Sequence, residues 1–224
     1  MPDRPTPADP ADRTAPGGAA RLILASASPR RRDLLARAGY AVEVRPADVD
    51  EARSAGEGAE PYVARLAIAK AEAGLRAAVP DAGTGGPDAT GTDAGTGGPD
   101  RPLRVLGADT VVVAPDGEVL GKPSGPAEAR RMLRALAGRT HHVLTAVAVA
   151  APGRPTRHLV ARTEVTFAPL DDDAIERYLA TGEPFDKAGA YGIQGEAGAF
   201  VTHVEGSVDT VIGLPVGRLG ELLS

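Results

Sequence analysis

Residues 21–39 read RLILASASPRRRDLLARAG and hold the clearest fold signal of the chain. The apolar run Arg21–Ala25 predicts a short strand. Ser28 followed by Pro29 is typical of a helix start, with Ser as N-cap and Pro at the first helical position. Gly39 marks where that helix ends. A strand that leads directly into a helix is the repeating unit of α/β proteins.

The turn between this strand and helix has the composition of an anion-binding site. A helix N-terminus presents unpaired backbone N–H groups and the positive end of the helix dipole. Ser26 and Ser28 add hydroxyls, and Arg30, Arg31 and Arg32 add guanidinium groups. The same spacing equally fits an ordinary capped helix whose arginines face water.

Outward from this unit, strands and helices alternate. Further helices are predicted at Pro61–Ala78, Pro126–Ala137 and from the Asp171 cap to Leu179. Further strands are predicted at 41–45, 103–113, 118–120, 143–151, 159–167, 200–204 and 210–212. Two adjacent strand pairs look antiparallel, so we predict an α/β fold with a mixed twisted sheet and flanking helices.

Two segments fall outside this pattern. Residues 1–20 contain five prolines and almost no large apolar side chain, which predicts a disordered tail. Residues 80–102 contain DAGTGGPD twice, at 81–88 and 93–100, which predicts a flexible surface insertion. The folded domain is therefore expected to span 21–224 with this insertion inside it.

Composition excludes several classes of partner. Only 3% of the 224 residues are aromatic and the formal charge is −5, so neither stacking of single strands nor global attraction to nucleic acid or anionic lipid is expected. No apolar run approaches the ~20 residues of a membrane span. The absence of cysteine excludes thiolate chemistry and fits a reducing cytoplasm, the expected location.

Common nucleotide-binding and hydrolase motifs are missing. The chain has no P-loop, no Gly-x-Gly-x-x-Gly between a strand and a helix, and no Gly-x-Ser-x-Gly. Its four histidines lack the spacing of metal ligands, so a histidine-based metal site is not expected.

Asp109 is the first candidate for catalysis. It interrupts the apolar run Leu106–Val113. Because burying an unpaired carboxylate is costly, it should lie at an open strand position beside a cation, a metal or a proton that it accepts. Gly107 and Ala108 are expected to leave room beside it for a ligand. The alternative is a strand-end Asp that caps a turn.

Lysines and a glycine-rich loop give weaker signals. Only three of the 25 basic residues are lysines, Lys70, Lys122 and Lys187, which favours point-charge contacts with phosphate or carboxylate but also fits chance. In FDKAGAYGIQG, residues 185–195, the glycines allow close approach to a ligand, and Gln194 offers a donor and an acceptor to a pyrimidine edge. By itself this is a glycine-rich loop.

Five motifs together resemble the Maf family of nucleoside triphosphate pyrophosphatases. In the family's order they are ASxSPRR at 25–31, GADTVV at 107–112, GKP at 121–123, DKAGAYGIQG at 186–195 and GLP at 213–215. The resemblance implies two lobes around a cleft, a fold similar to inosine triphosphate pyrophosphatase, and hydrolysis of a nucleoside triphosphate to the monophosphate and pyrophosphate. The form of the 186–195 loop resembles members that prefer dTTP and UTP.

The resemblance also implies roles for single residues. Asp109 falls on the position of the proton acceptor. The positions that set base preference are those of Arg30, Thr110 and Gln194. Contacts to phosphate or metal fall on Ser26, Arg31, Glu51, Lys70 and Lys122, and Lys187 is taken as a further substrate contact.

A divalent metal, Mg²⁺ or Mn²⁺, is the expected cofactor, because a triphosphate must be neutralised before water attacks its α-phosphorus. Without Cys or a His cluster its ligands would be oxygens, such as those of Asp109, Glu51 and the phosphates. A homodimer is a family-level expectation only. Two alternatives stay open: a non-catalytic, nucleotide-sensing regulator of cell division and septum formation, or a pyrophosphatase for a modified or purine nucleotide such as 7-methyl-GTP.

Overall fold

The computed structural model describes residues 20–79 and 102–224, so the predicted tail and insertion lie outside it except for their edge residues Ala20 and Pro102. The strands are β1 Arg21–Leu24, β2 Val42–Val44, β3 Leu103–Val113, β4 Val119–Leu120, β5 Thr140–Ala150, β6 Arg157–Phe167 and β7 Val201–Glu205. The helices are α1 Pro29–Arg37, α2 Ala59–Ala78, α3 Pro126–Leu136, α4 Asp172–Ala180, α5 Val208–Ile212 and α6 Gly220–Leu223. None of these helices is both long and apolar enough to cross a bilayer.

All seven strands join one sheet in the order β2-β1-β3-β5-β6-β7, with β4 added to β3. β1 pairs in parallel with β2 and β3, whereas the pairings of β3 with β4 and β5, of β5 with β6 and of β6 with β7 are antiparallel. The predicted mixed α/β sheet is therefore confirmed.

One edge of β3 is open at its centre. β5 pairs with β3 from Val105 to Val113 along one edge. On the opposite edge β1 pairs only as far as Leu106, and β4 begins at Val112. Among the described strands, none pairs with that edge between these points. Asp109 and Thr110 lie in this gap, so side chains from both faces of β3 can reach the same space.

The helices form a layer on each face of the sheet. α2 covers one face, where Val63, Ala67 and Ala71 pack against small and branched residues of β3 and β5. The other face carries two apolar clusters, one with α1 and α6 and one with α3 and α4. Thr110 and Thr145, paired across β3 and β5, stand between the clusters. This polar interruption separates the two apolar clusters.

Two expectations about local structure are wrong. Residues 210–212 are not a strand but part of the short helix α5, which runs from Ser207 to a C-cap at Gly213 with φ 124°. Their β-branched side chains suggested a strand, yet a Ser N-cap and a Gly C-cap with five residues between them enclose a short helix instead. Gly107 gives no room to a ligand, because a Cβ there would lie 2.2 Å from the Ala67 carbonyl oxygen. Its missing side chain lets α2 approach β3.

Candidate active site

A cleft of about 650 Å³ opens at the gap in the edge of β3. It lies between the α1 end of the sheet and the glycine-rich loop that follows α4. Every candidate site residue from the sequence lines this cleft, namely Ser26, Arg30, Arg31, Glu51, Lys70, Asp109, Thr110, Lys122, Lys187 and Gln194. The fold thus brings together residues that are separated by up to 168 positions in the chain.

Lys70 joins two carboxylates at one end of the cleft. Its Nζ donates to Asp109 Oδ1 at 2.7 Å and lies 2.6 Å from Glu51 Oε1. The side chains of Lys70 and Asp109 are only 11% and 13% exposed, whereas that of Glu51 is 55% exposed. Asp109 therefore lies beside a cation, as its place in an apolar strand requires.

Glu51 reaches this point because α2 holds the loop that carries it. The Tyr62 hydroxyl donates to the Glu51 carbonyl oxygen at 2.8 Å, and Arg65 Nη2 donates to the Ala52 carbonyl oxygen at 2.9 Å. The hydrogen bond from Lys70 is the main cause that lowers the pKa of Glu51, with help from the charge of Lys70. Glu51 is thus a carboxylate at neutral pH.

The first turn of α1 faces the cleft without a side-chain cap. Ser28 occupies the N-cap position with extended backbone, but its hydroxyl makes no capping bond. The Ser28 N–H instead donates to Ser26 Oγ at 3.3 Å. Because no described side chain caps this turn, its backbone N–H groups are available to an anion.

Each of the three guanidinium nitrogens of Arg31 donates a hydrogen bond to another atom of the protein. Its Nε donates to the Gly213 carbonyl oxygen at 2.9 Å, its Nη1 to Ser26 Oγ at 2.9 Å and its Nη2 to Thr110 Oγ1 at 3.2 Å. Burial lowers its pKa from the ordinary value, which the nearby Asp109 charge opposes. Arg31 therefore ties α1, β3 and α5 together beside the cleft.

The glycine-rich loop is held by ion pairs to itself and to α1. Lys187 Nζ donates to Asp186 Oδ1 and to the Glu183 carbonyl oxygen, both at 2.6 Å, and Arg30 Nη1 donates to Asp186 Oδ2 at 3.2 Å. Partial burial alone would raise the pKa of Asp186, but Lys187 and Arg30 outweigh it and the pKa is lowered. This network connects the loop to the first turn of α1 beside the cleft.

The glycines of this loop make room for protein atoms rather than for a ligand alone. A Cβ at Gly189 would meet the Val112 side chain at 2.8 Å, and one at Gly192 would meet Lys187 Cε at 2.6 Å. Gly189 also has φ 68°, which favours glycine. Close packing of the loop on β3 and on Lys187 is therefore part of what these glycines provide.

Lys122 and Gln194 are two exposed polar side chains of the cleft wall. Neither forms an ion pair or a side-chain hydrogen bond with any residue that the structure describes. Lys122 follows β4, and the Gly121 carbonyl oxygen accepts a hydrogen bond from the Gly189 N–H at 3.0 Å. Both side chains are free to contact a bound molecule.

The donor set near Lys70 fits an oxygen-ligated divalent cation. Asp109 Oδ1 and Glu51 Oε1 both contact Lys70 Nζ, so a metal ion beside them would bind through the other oxygen of each carboxylate. Within 20–79 and 102–224 there is no group of three or more His, Cys, Asp or Glu side chains that could hold a metal. Mg²⁺ commonly binds through one or two carboxylates plus substrate phosphates and water, and two carboxylates satisfy that pattern.

Sequence reasoning missed Tyr62, Asp186 and Thr145. Tyr62 lies two helical turns before Lys70 on the same stripe of α2, a spacing that could have identified it. Burial, with the charges of Asp109 and Glu51, raises its pKa. Asp186 precedes Lys187 in a motif already noted. Nothing in the sequence around Thr145 distinguishes it from the other residues of β5.

Comparison with known proteins shows which proteins this chain resembles. The family model described as Maf-like protein matches residues 21–224. A dTTP/UTP pyrophosphatase of Chromobacterium violaceum is 48% identical over 207 residues, covering 91% of this chain and 93% of the relative. One of Anaeromyxobacter dehalogenans is 50% identical over 209 residues, covering 92% and 93%. One of Salmonella typhimurium is 47% identical over 203 residues, covering 91% of each.

Solved structures give more distant likenesses. A HAM1 protein from Coxiella burnetii matches with a TM-score of 0.43 and 16% identity over 91% of this chain and 98% of that one. A nucleoside-triphosphatase described as a dITP/XTP pyrophosphatase from Mycobacterium abscessus matches with a TM-score of 0.36 and 15% identity over 67% and 75%. The family model and the sequence relatives carry the assignment: the chain belongs to the family of Maf-like proteins.

Proposed function

We propose that this protein hydrolyses dTTP and UTP to the nucleoside monophosphate and pyrophosphate, cutting a phosphoric anhydride bond. The observation that carries the proposal is the pairing of Asp109 and Glu51 with Lys70 in a cleft lined by further cationic side chains. Relatives 44–50% identical over at least 90% of the chain bear the name dTTP/UTP pyrophosphatase. Their similarity supports the same activity here.

Asp109 is the proposed acceptor of the proton from water. Its Oδ1 is held by Lys70, whereas its second carboxylate oxygen has no hydrogen-bond partner among the described residues. That oxygen can accept a proton as the water oxygen bonds to the α-phosphorus and the bond to the α–β bridging oxygen breaks. Pyrophosphate leaves with the bridging oxygen, and the monophosphate keeps the oxygen of water.

Cationic side chains and backbone N–H groups stabilise the negative charge in this step. Lys122 is free to contact the phosphates, and the uncapped first turn of α1 offers backbone N–H groups. Preorganised donors of this kind strengthen as charge develops on the departing pyrophosphate. No covalent intermediate with the protein is needed.

A divalent cation is part of the proposal as a cofactor. Asp109 and Glu51 would hold it, with Mg²⁺ or Mn²⁺ as the ions that suit oxygen ligands. When bound, it would neutralise phosphate charge and polarise the phosphoryl oxygens. Lys70 would then keep the two carboxylates in place from the side of α2.

Gln194 is proposed to contact the base. Its amide is exposed on the cleft wall and can present a donor and an acceptor to a pyrimidine. A Gln194→Ala variant should lower kcat/KM for UTP by about tenfold, the factor that the loss of one hydrogen bond to the base would cause. It should also alter the order of preferred nucleotides. An unchanged order in steady-state assays would remove Gln194 from base recognition.

The location and assembly of the protein are also proposals. A chain with no cysteine suits a reducing cytoplasm, where nucleoside triphosphates are substrates. A homodimer is expected from the family alone and is checked by light scattering.

The direct test is a pyrophosphate-release screen of the purified protein with dTTP, UTP, CTP, GTP and 7-methyl-GTP, with and without Mg²⁺ or Mn²⁺. We expect metal-dependent release that is fastest with dTTP and UTP. Highest activity with 7-methyl-GTP or GTP would favour a purine or modified substrate. Tight nucleotide binding without pyrophosphate release would favour the non-catalytic regulator of septum formation.

A further inference from the structure

We infer that Thr145, a buried residue of β5, sets the base preference of the cleft by making the Thr110 hydroxyl an acceptor only. This inference rests on the proposed function and deepens it, because it concerns how the same cleft separates uracil and thymine from cytosine. Thr145 is fully buried and is not among the residues that line the cleft. It acts through Thr110 and is a positioning residue.

The Thr210 carbonyl oxygen fixes the direction of both hydrogen bonds made by the Thr145 hydroxyl. Thr145 Oγ1 lies 2.7 Å from the Thr210 carbonyl oxygen, which can only accept, so the single hydroxyl hydrogen of Thr145 is donated there. Thr145 Oγ1 is also 2.9 Å from Thr110 Oγ1. Because Thr145 has no hydrogen left, Thr110 must be the donor in that contact.

Arg31 occupies one of the two lone pairs of Thr110 Oγ1. Its Nη2 donates to Thr110 Oγ1 at 3.2 Å, and a guanidinium group cannot accept. The Thr110 oxygen therefore gives its hydrogen to Thr145 and uses one lone pair for Arg31. One lone pair remains, and toward the cleft Thr110 can only accept a hydrogen bond.

An acceptor-only hydroxyl selects its partner by chemistry. Phosphate oxygens at neutral pH are acceptors, so Thr110 has nothing to offer them. The imide N3–H of uracil and thymine is a donor that suits the remaining lone pair. In cytosine the same ring position is an acceptor, and two facing lone pairs disfavour binding. Preference for dTTP and UTP over CTP follows from this one oxygen.

The test compares the ratio of kcat/KM for UTP and CTP in wild type and three variants. Thr145→Val keeps the shape of the side chain and frees the Thr110 hydrogen, so we expect the preference for UTP to fall by about tenfold, the factor for one hydrogen bond. Thr145→Ser retains the hydroxyl and should keep the wild-type ratio.

Thr163→Val is the matched control. Thr163 is also fully buried, and its Oγ1 donates to the Ser207 carbonyl oxygen at 3.0 Å at the other end of α5. The Thr163→Val variant loses the same kind of hydrogen bond, but Thr163 does not contact Thr110. Its ratio of kcat/KM for UTP and CTP should therefore stay at the wild-type value. An unchanged ratio in a folded Thr145→Val variant, or an equal change in Thr163→Val, would overturn the inference.

Substrate analogues keep the test decisive if Thr145→Val does not fold. With the wild-type protein, 3-methyl-UTP, which lacks the imide hydrogen, should be at least about tenfold poorer than UTP, whereas 3′-deoxy-UTP should be used nearly as well. Equal use of 3-methyl-UTP, or a loss seen only with 3′-deoxy-UTP, would show that Thr110 does not read the base. No pyrophosphate release from UTP or dTTP would instead refute the proposed function itself.

Discussion

Asp109 is the residue on which the proposed chemistry depends most. Replacing it by Asn preserves its shape and removes the proton acceptor, so turnover of UTP should fall by roughly 10²–10⁴-fold while the protein stays folded. Pyrophosphate release measures the rate, and circular dichroism checks the fold. Asp171→Asn is the matched control, because Asp171 caps α4 by accepting from the Ala174 N–H at 2.7 Å and Asn caps equally well. Near-normal turnover in Asp109→Asn would remove Asp109 from catalysis.

His141 should make stability fall with acid. Its Nε2 lies 2.8 Å from the Tyr191 hydroxyl, and burial lowers its pKa to about 4 from the usual 6.5. Below pH 6.5 the unfolded chain binds a proton that the folded protein does not, so the folded state loses stability as pH falls toward 4. Between pH 7.5 and 5 this single group should cost about 2 kcal/mol of unfolding free energy.

The check is urea denaturation of wild type and His141→Gln at both pH values. Gln can still bond to Tyr191 but does not titrate, so the variant should lose less stability between pH 7.5 and 5 than wild type does. Equal losses in the two proteins would show that His141 is not the acid-sensitive group. Glu51 and Asp186 have lowered pKa values, so their losses fall below this window.

Among the elements, the contact of α2 with β3 is the one that places Lys70 beside Asp109. A Cβ at position 107 would lie 2.2 Å from the Ala67 carbonyl oxygen and 2.4 Å from the Ala71 backbone nitrogen. Gly107→Ala should therefore push α2 off the strand, lower the unfolding free energy by about 1–3 kcal/mol and reduce turnover. Denaturation and pyrophosphate release measure the two effects.

Gly220→Ala is the control for that substitution. A Cβ at Gly220 meets no atom within 4 Å, so this variant should remain as stable and as active as wild type. A Gly107→Ala protein of normal stability would mean that α2 does not pack on β3 as closely as described.

The secondary-structure elements were predictable where their signals are local. The pattern from Leu103 to Val113 gave β3 with its observed ends, and Asp171 was identified as a cap. α5 was missed because its β-branched residues outweighed a cap pair that encloses only one turn. Gly107 was misinterpreted because the sequence does not show which helix lies across a strand.

At the scale of the whole molecule, the sequence identified the members of the cleft but not their partners. Eight of the ten candidate residues lie in one of the five motifs, the exceptions being Glu51 and Lys70, and the fold brings all ten to one cleft. The Arg31 network joins residues 79 and 182 positions apart, and such contacts exist only once the sheet has formed. The buried Thr145 therefore had no signal in the sequence.

Removal of divalent metal tests whether turnover depends on a cation in the cleft. If Asp109 and Glu51 hold a divalent cation with the phosphates, chelation should lower turnover by roughly 10²-fold or more, and Mg²⁺ or Mn²⁺ should restore it. Isothermal titration of Mn²⁺ into wild type and Glu51→Gln should show weaker binding in the variant. Full activity after chelation would refute a metal-dependent reaction.

The most direct test of the proposed reaction is hydrolysis of UTP in oxygen-18 water, followed by mass spectrometry of the products. Attack of water on the α-phosphorus predicts that the heavy oxygen appears in UMP and that the pyrophosphate carries none. Label in pyrophosphate, or release of orthophosphate with UDP, would contradict it.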